Sequence, residues 1–600
     1  MSLYSRDMTA SDFRFVAEEP LASRSDWQDV VDGVLNGRSF SSVLVSSTAG
    51  GLTIDPLYVP DGSSSVGAPA DVHRLKYGWD VRQQHRVGDP ELVAAAVLDD
   101  LEGGVTSIEL VVDHPLNADG LAACLDGVLL DVAPVALAPH DDHRLVEALV
   151  EVLVRAGVAP TARPWLGLDP LGEMARTGQI GDVAASAHLA AEVRLAVPGA
   201  VLMTVDTCRY ADAGATEVDE VAWMLSTGVA YLRALESAGL PVADAAAALG
   251  FRMSADADQF VTLARLRAAR QQWSAVLAAC GVPLVRSPIQ AVTSSAMFSR
   301  CDPAVNIVRS TSAAFAAGVA GADSITVLPF DSSAPTRARR VARNLQHLLM
   351  EESGLNRLVD PAAGSAFLES LTARIGEAAW STFQQVEADG GMAAALVDGR
   401  VRQAVDEAWD RQADAVAFRR QVVTGVSEFP DRVPLSEASS EPEEVGFPVR
   451  RPAEMFEQLR AAADTARAGG AAVVVHLATL GSLAEHTARS TWVQNLLAVG
   501  GVDSCGGDGD GAVSPLEAAT RFAESGASVA VLCSSDSVYD QRAAATATAL
   551  KEAGASWVVL AGRREDADAL RDVGVDEFWH VGVNVVEALQ ALHQRLGVSS

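Results

Sequence analysis

Short apolar, β-branched runs alternate with longer amphipathic stretches through most of this 600-residue chain. Between residues 72 and 420 the apolar runs predict strands at residues 107–112, 128–138, 201–206, 284–288 and 324–328. Helical periodicity lies between and after these runs, at residues 144–156, 217–237, 259–280, 304–317, 335–352 and 367–389. Because strands that alternate with helices pair in parallel, this region is predicted to fold as a (β/α)8 TIM barrel.

A second alternating series occupies residues 469–600. Its pattern predicts strands at residues 471–477, 528–533, 556–560 and 577–581, and helices at residues 483–499, 515–525, 539–553 and 585–596. This series is typical of a small flavodoxin-like α/β domain. The glycine-rich run at residues 506–511 lies in its second β region without the strand-to-helix placement of a dinucleotide loop, so it is predicted to be a flexible turn.

Two segments lack the pattern of a folded domain. Residues 1–71 read as an N-terminal arm, with a short helix at residues 25–35 capped by Ser25 and an extended run at residues 52–59. An arm with apolar groups and no core of its own needs another surface to cover. Residues 421–468, rich in Ser, Glu and Pro near their centre, are predicted to be a linker.

Composition narrows the class of partner. A formal net charge of −32 argues against nucleic acid or an anionic membrane as the natural partner. No apolar run approaches the roughly 20 residues that span a bilayer, and the first residues do not form a secretory signal. Six cysteines lie far apart with no Cys-x-x-Cys pair, which predicts a cytoplasmic protein without disulfides or a thiolate zinc site.

Residues 201–215 are the first candidate for a functional site. The apolar run at residues 201–206 is followed by a polar loop, and a helix is predicted to begin near Thr216, since Thr216 followed by Asp219 is similar to a capping box but weaker than the Thr/Glu form. The loop therefore follows the carboxyl end of a predicted barrel strand. Catalytic groups of TIM barrels lie at that end.

Several ordered motifs indicate a family. They are ARLRAARQQW at residues 264–273, NIVRST at 306–311, ARNLQ at 342–346, ESG at 352–354, VDPAAGS at 359–365 and GGM at 390–392. Together they resemble the motifs of the adenosylcobalamin-dependent acyl-CoA mutases, and most closely those of the small (beta) subunits of methylmalonyl-CoA mutases. The resemblance implies a TIM barrel with the pantetheine arm of coenzyme A along its axis, followed by a cobalamin-binding-type domain.

At the substrate positions this sequence departs from the family pattern. The catalytic loop GYHMQEAGA of the family aligns with TCRYADAGA at residues 207–215, so Arg209 replaces the histidine and Cys208 the tyrosine. Another family histidine aligns with Pro288, and the tyrosine that steers the radical aligns with Arg74. Trp79, Arg82 and Gln83 of the same segment are retained. Because an unpaired buried cation is costly, Arg209 is predicted to pair with Asp206 or Asp212.

The cofactor positions are replaced as well. Leu328 and Ser332 align with the asparagine and glutamate that hold the nucleoside in the family. The family's Asp-x-His-x-x-Gly cobalt-ligand motif aligns with Ala484, His486 and Arg489, so only the histidine is kept. His486 is predicted to lie on the surface of a helix rather than to ligate cobalt, and His476 to be a core residue.

Three hypotheses follow from the resemblance. In the first, the chain is the small, noncatalytic subunit of a heterodimeric methylmalonyl-CoA mutase, and stabilises a large catalytic subunit that carries adenosylcobalamin. In the second, the chain is itself a divergent, active acyl-CoA mutase. In the third, it is a stand-alone protein that binds a CoA thioester. The joint loss of the substrate, nucleoside and cobalt positions favours the first.

Overall fold

The computed structural model describes residues 23–59, 78–159, 161–283, 285–431, 435 and 446–598. The chain divides into two compact units, residues 1–59 and 60–600. The first contains the helices Arg24–Leu35 and Phe40–Leu44 and an antiparallel pair, β1 (Ser46–Ser47) and β2 (Thr53–Ile54). The N-cap of its first helix is Ser23, whose side chain accepts the Asp26 backbone N–H, and not the predicted Ser25.

Eight parallel strands of the second unit close into a barrel, as predicted. They are β3 (Asp80–Arg86), β4 (Ser107–Val111), β5 (Val135–Leu137), β6 (Trp165–Leu168), β7 (Val201–Asp206), β8 (Leu249–Ala255), β9 (Ile289–Thr293) and β10 (Ser324–Thr326). The last strand pairs with the first, Thr326 beside Arg82, and this pairing completes the barrel.

Three of the eight barrel strands, at residues 80–86, 165–168 and 249–255, were not predicted from the sequence. Residues 80–86 and 249–255 are strands that the sequence did not predict, because Arg82 and Arg252 interrupt their apolar pattern. The run predicted at residues 284–288 precedes β9, and the run at 128–138 forms a strand only over its last part, Val135–Leu137. The apolar strand Trp165–Leu168 was not predicted either; it is only four residues long and contains Gly167, so it gives a weak strand signal.

Helices surround the barrel. They are Pro90–Glu102, Ala118–Cys124, His143–Ala156, Pro170–Thr177, Val183–Val193, Cys208–Asp212, Glu217–Ser237, Val242–Ala247, Gln259–Ala279, Pro303–Ala320, Pro335–His347, Ala366–Ala388, Gly391–Val397 and Arg400–Ala417. A π-helical turn, Leu348–Glu352, extends the helix that begins at Pro335, and a 3₁₀ turn, Leu355–Arg357, follows. No helix within the described ranges is long and apolar enough to cross a membrane.

The C-terminal domain has a five-stranded parallel sheet in the order β12-β11-β13-β14-β15. Its strands are β11 (Val474–Thr479), β12 (Asp503–Cys505), β13 (Val529–Cys533), β14 (Trp557–Ala561) and β15 (Glu577–Trp579). Its helices are Glu454–Ala468, Leu483–Val499, Pro515–Ser525, Asp536–Glu552, Ala567–Asp572 and Val585–Arg595. This is the 2-1-3-4-5 strand order of flavodoxin-like domains, as the sequence predicted.

Part of the predicted linker belongs to the C-terminal domain. Residues Glu454–Ala468 form a helix, and its Phe456 and Ala463 are buried in one cluster with Val475 of β11. The same cluster contains Val416 from the last barrel helix, so the two domains share apolar packing. The Ser, Glu and Pro content of residues 436–448 led to a predicted linker that extends too far towards the C-terminus. It includes the helix Glu454–Ala468, whose apolar residues are regularly spaced.

Candidate functional site

The loop after β7 begins as the sequence predicted, but its side chains are largely enclosed. The short helix Cys208–Asp212 follows β7, and Thr216 caps the helix Glu217–Ser237 through a capping box with Asp219. Cys208 is buried, and burial raises the pKa of its thiol well above the ordinary value. A buried neutral thiol is a poor nucleophile, so the loop displays no activated cysteine.

A segment just before the C-terminal domain, residues 446–451, lies against this loop. The ring of Phe447 packs edge-on against Tyr210, with centroids 5.2 Å apart, and the guanidinium of Arg402 lies 4.7 Å from the centre of the Phe447 ring. The backbone N–H of Arg450 donates to the Asp212 carbonyl at 2.9 Å. The loop that would meet substrate in an active barrel is therefore covered by the protein's own chain.

The acidic groups beside Arg209 have strong partners of their own. The Oδ1 atom of Asp206 lies 3.1 Å from Nη1 of Arg252. Asp212 accepts hydrogen bonds from the hydroxyls of Ser294 and, at 2.7 Å, Ser295. Arg209 itself is half-buried. Its pairing with Asp206 or Asp212 stays a prediction.

A charged pair crosses the barrel axis. Strands β4 and β8 lie opposite each other in the closed barrel, yet Nε of Arg252 on β8 is 3.3 Å from Oε1 of Glu109 on β4. Because Arg252 also reaches Asp206 on β7, one guanidinium joins two carboxylates across the interior. Burial alone would lower the pKa of Arg252, but the charges of Asp206 and Glu109 raise it above its ordinary value.

Further hydrogen bonds extend this pair into a network. The amide of Gln290 donates to Glu109 at 2.9 Å and to Thr326 at 3.0 Å, and its oxygen accepts Nη1 of Arg82 at 3.0 Å. Arg82 also lies 5.0 Å from the centre of the Trp165 ring. At the level of Glu109, Arg252 and Gln290, the barrel interior is occupied by the protein's own side chains. A packed interior is the usual state of a TIM barrel.

A second buried acid lies next to the network. Asp169, directly after β6, accepts hydrogen bonds from the Tyr231 hydroxyl, from Gly172 N–H at 3.1 Å and from Asp206 N–H at 3.3 Å. Burial, followed by the charge of Asp206, raises the pKa of Asp169 to about 7. Tyr231 in turn accepts the Leu171 N–H at 2.9 Å. Every one of these groups is used to join β6, β7 and the helix Glu217–Ser237.

The remaining predicted positions in the barrel do not all meet. Leu328 and Ser332 follow β10 at the same end as Cys208 and Arg209, and the Leu328 N–H donates to Thr293 Oγ1 at 2.8 Å. Pro288 directly precedes β9 and therefore lies at the opposite, amino end of the barrel. Arg74 lies outside the described residues. The alignment listed Pro288 with Cys208 and Arg209 as candidate site positions. In the structure, the length of β9 separates Pro288 from the end of the barrel that carries the loop after β7.

In the C-terminal domain the predicted environment of His486 was wrong. Its side chain is fully buried, and Nε2 lies 3.1 Å from the carbonyl oxygen of Gly509. Ala484, on the same helix, is exposed. Arg489 donates to the Ser534 carbonyl at 2.5 Å and to Asp536 at 2.7 Å, so it joins the helix to the loop after β13. His486 and Arg489 therefore serve the packing of the domain, whereas Ala484 lies on its surface.

Sequence reasoning missed the residues that decide the state of the barrel. Glu109, Arg252 and Gln290 were not singled out, although they form the crossing of the axis. The available signal was a charged or amide residue at the centre of an otherwise apolar run, as in LGFRMSA at 249–255 and SIELV at 107–111. Such a residue in a barrel strand must face a polar interior or carry a partner there.

Comparison with known proteins places these observations in a family. A family model described as "Methylmalonyl-CoA mutase" matches residues 117–496. The chain belongs to the methylmalonyl-CoA mutase family. A protein named "Methylmalonyl-CoA mutase small subunit" from Streptomyces virginiae is 42% identical over 97% of this chain and 98% of its own length. The protein of that name from Propionibacterium freudenreichii subsp. shermanii is 34% identical over 99% and 98%.

A third relative is similar to only part of this chain. The protein named "Methylmalonyl-CoA mutase" from Escherichia coli is 37% identical, but over only 36% of this chain and 31% of its own length. The resemblance stated from the motifs is thus confirmed, and the full-length similarity is to proteins named as small subunits.

In this chain, residues of the motifs that resemble the methylmalonyl-CoA mutase family form ion pairs that stabilise the fold. Arg267, in the motif at residues 264–273, pairs with Asp360 of the motif at 359–365 and with Glu369 at 2.9 Å. Arg265 of the same helix lies 2.8 Å from the fully buried Glu220. These ion pairs join the helix Gln259–Ala279 to the helices Glu217–Ser237 and Ala366–Ala388, so the motif residues hold the outer layer of helices together.

Proposed function

We propose that this chain is the small, noncatalytic subunit of a heterodimeric methylmalonyl-CoA mutase. The contact of Arg252 with both Glu109 and Asp206 carries the proposal, since it crosses the axis along which the family's pantetheine arm would run. Opening that path would leave buried charges without partners, at a cost of several kcal/mol. The chain's contribution to the isomerisation of methylmalonyl-CoA and succinyl-CoA is then to stabilise a large catalytic subunit.

We further propose that adenosylcobalamin is bound by the large subunit alone. His486 supports this, because its side chain is fully buried and its Nε2 atom contacts the Gly509 carbonyl inside the domain, so neither ring nitrogen is presented at a surface where a corrinoid could bind. All six cysteines are free thiols, which fits the proposed cytoplasmic location.

Purification with and without a partner tests the proposal. The tagged chain is co-expressed with the large subunit of an enzyme whose small subunit is one of the relatives named above. The chain should retain that large subunit at one-to-one stoichiometry, and the complex should show mutase activity. The chain alone should give no turnover of methylmalonyl-CoA with added adenosylcobalamin, and no bound-cobalamin spectrum at micromolar protein. Turnover by the isolated chain would overturn the noncatalytic assignment, whereas a stable, inactive monomer with tight CoA-thioester binding would overturn the partnership.

A further inference from the structure

A cavity of about 400 Å³ lies in the C-terminal domain, between the sheet and the helix Pro515–Ser525. His476 and Ala478 of β11 line its sheet side together with Cys505 of β12, and Ala518 lines its helix side. Pockets that bind small molecules usually enclose about 300–1,000 Å³, so this cavity is large enough for a ligand built on one or two rings.

The cavity is on the opposite face of the sheet from the helix that carries His486. That helix, Leu483–Val499, shares an apolar cluster with Val475 of β11. Ala518 of the cavity helix belongs instead to the cluster of Ala478, on the other face of the same strand. A ligand in the cavity would therefore lie away from the aligned cobalt-ligand position.

Glycine and alanine residues keep the cavity open. Gly506 has a φ of +79°, and a Cβ there would lie 3.0 Å from Cε1 of His476. Ala478, Ala512 and Ala518 line the space with single methyl groups. A slot between a sheet and a helix admits a flat ring, because a ring plane needs about 3.5–4.0 Å of separation from the carbon atoms on either side.

Hydrogen-bonding groups of the cavity wall lack partners within the described part of the chain. His476 is 5% exposed, and its Nε2 atom has no hydrogen bond with any residue that the structure describes. The backbone N–H groups of Gly506 and Gly507, which also line the cavity, donate to no described residue either. Because buried polar groups are normally hydrogen-bonded, these groups indicate a partner from outside the protein.

The charges around the cavity favour an uncharged ligand. Arg521 lines the cavity, but its guanidinium pairs with Glu517 at 2.6 Å. Asp508 and Glu524 also line it, and both are exposed. Burial, and then the charge of Arg521, lowers the pKa of His476 to about 4, so the ring is neutral at pH 7. A ligand ion would lose its hydration without meeting a buried counter-charge, which is costly.

The neighbouring thiol indicates which role Nε2 of His476 plays. The Cys505 thiol donates to the Val475 carbonyl at 3.7 Å, and its Sγ atom lies 3.8 Å from Nδ1 of His476. The sulfur can therefore accept the Nδ1 proton, and in that tautomer Nε2 is an acceptor. The wall then offers one acceptor, Nε2, and two donors, the N–H groups of Gly506 and Gly507.

We infer that this cavity binds an uncharged planar heterocycle with an N–H group beside a carbonyl oxygen, as in the bases uracil and guanine. The ring N–H would donate to Nε2 of His476, and the carbonyl oxygen would accept from Gly506 and Gly507. The net charge of −32 disfavours a phosphate group, so a free base or nucleoside fits better than a nucleotide.

Isothermal titration of the full chain with uridine and with guanosine tests the site. At least one nucleoside should bind with one-to-one stoichiometry. Its counterpart methylated at the ring N–H should bind about tenfold more weakly, since one hydrogen bond is lost. His476→Phe keeps a ring but removes the acceptor, so it should weaken the nucleoside about tenfold and make the two compounds equal.

Filling the cavity gives a second test. Ala518→Leu should abolish binding, because the larger side chain occupies the space for the ring. Ala523→Leu is the matched control, because Ala523 lies on the same helix and is exposed, and it should bind as the wild-type chain does. Thermal unfolding of both variants shows whether each remains folded.

A labelling experiment on the unaltered chain is independent of any folding defect in the variants. The bound nucleoside should protect Cys505 from alkylation, as measured by mass spectrometry, while the exposed Cys280 is labelled at the same rate. Failure of both nucleosides to bind, equal affinity of the wild-type chain for the methylated compound, or unchanged labelling of Cys505 would each overturn the site.

Discussion

At the scale of single residues, Arg252 has the largest consequence. Its guanidinium contacts both Glu109 and Asp206, which are 1% and 6% exposed. Removing one member of a buried ion pair costs about 3–5 kcal/mol, because the remaining charge stays in a medium of low polarity. The same charges that close the axis to a ligand therefore make the closure stable.

Arg252→Met should accordingly lower the free energy of unfolding by about 3–5 kcal/mol, because methionine fills the space without the charge. Urea denaturation followed by circular dichroism measures the change. Arg571→Met is the matched control, because Arg571 is half-exposed and pairs with an exposed Asp568, so its loss should change stability by less than about 1 kcal/mol. Equal effects of the two substitutions would contradict the role assigned to Arg252.

Asp169 should give the protein a pH dependence of stability. The pKa of Asp169 is raised to about 7 by burial, against 3.8 for an ordinary aspartate, so the folded state holds a proton that the unfolded chain releases. Its contribution to stability is full below about pH 4 and is lost as the pH rises through about 7. Asp169→Asn should flatten the decline of the urea midpoint between pH 5 and pH 7.5. An undiminished decline in the variant would show that other groups cause it.

At the scale of elements, strand β6 shows how backbone geometry fixes the barrel. Gly167 has a φ of +75°, and its strand register shifts between Trp165 and Leu168. A Cβ at Gly167 would lie 2.7 Å from the Leu137 carbonyl oxygen and 2.9 Å from that of Ala138. Because both neighbours are backbone atoms, they cannot move aside without disturbing β5.

Gly167→Ala should therefore destabilise the barrel by more than Gly178→Ala. Gly178 has a similar φ of +72° but meets nothing within 4 Å, so its substitution carries only the left-handed backbone cost of roughly 1–2 kcal/mol. Overpacking should add about 1–3 kcal/mol at Gly167. Thermal unfolding of both variants measures the difference, and indistinguishable midpoints would mean that β5 and β6 yield more easily than the structure indicates.

At the scale of the whole molecule, a buried carboxylate connects the two folded domains. Glu457, in the helix Glu454–Ala468, is 2% exposed and accepts the backbone N–H of Arg300 at 2.7 Å. It also pairs with Arg451 at 2.8 Å. The barrel and the C-terminal domain are thereby joined by polar contacts in addition to the shared apolar cluster of Val416 and Phe456.

Glu457→Ala should uncouple the unfolding of the two domains, since it leaves the Arg300 N–H and the Arg451 charge without their acceptor. Calorimetry should show a broadened or divided transition, and trypsin should cleave near residues 446–453 faster than in the wild-type chain. Glu454→Ala alters an exposed carboxylate in the same helix and serves as the control. A single, unshifted transition in Glu457→Ala would show that apolar packing alone couples the domains.

Much of the architecture was predictable because it depends on local periodicity. The helix at residues 217–237 and the strand at residues 201–206 were predicted with the bounds that the structure has. The strands at 80–86 and 249–255 were not, because their inward side chains are polar and only the closed barrel supplies partners for them. Alignment to the family pattern drew attention to Arg209 and Cys208, but it gave no indication of the interior network of Arg252, Glu109 and Gln290.

The sequence by itself determined the family and the two α/β domains, since both are encoded in runs of neighbouring positions. Only the tertiary structure decided that Arg252 and Glu109, 143 positions apart, meet across the barrel axis. It also placed His486 in the interior of the C-terminal domain and brought Cys505 beside His476 on the neighbouring strand. Such contacts depend on strand register and barrel closure, which bring together side chains whose separation along the chain carries no signal.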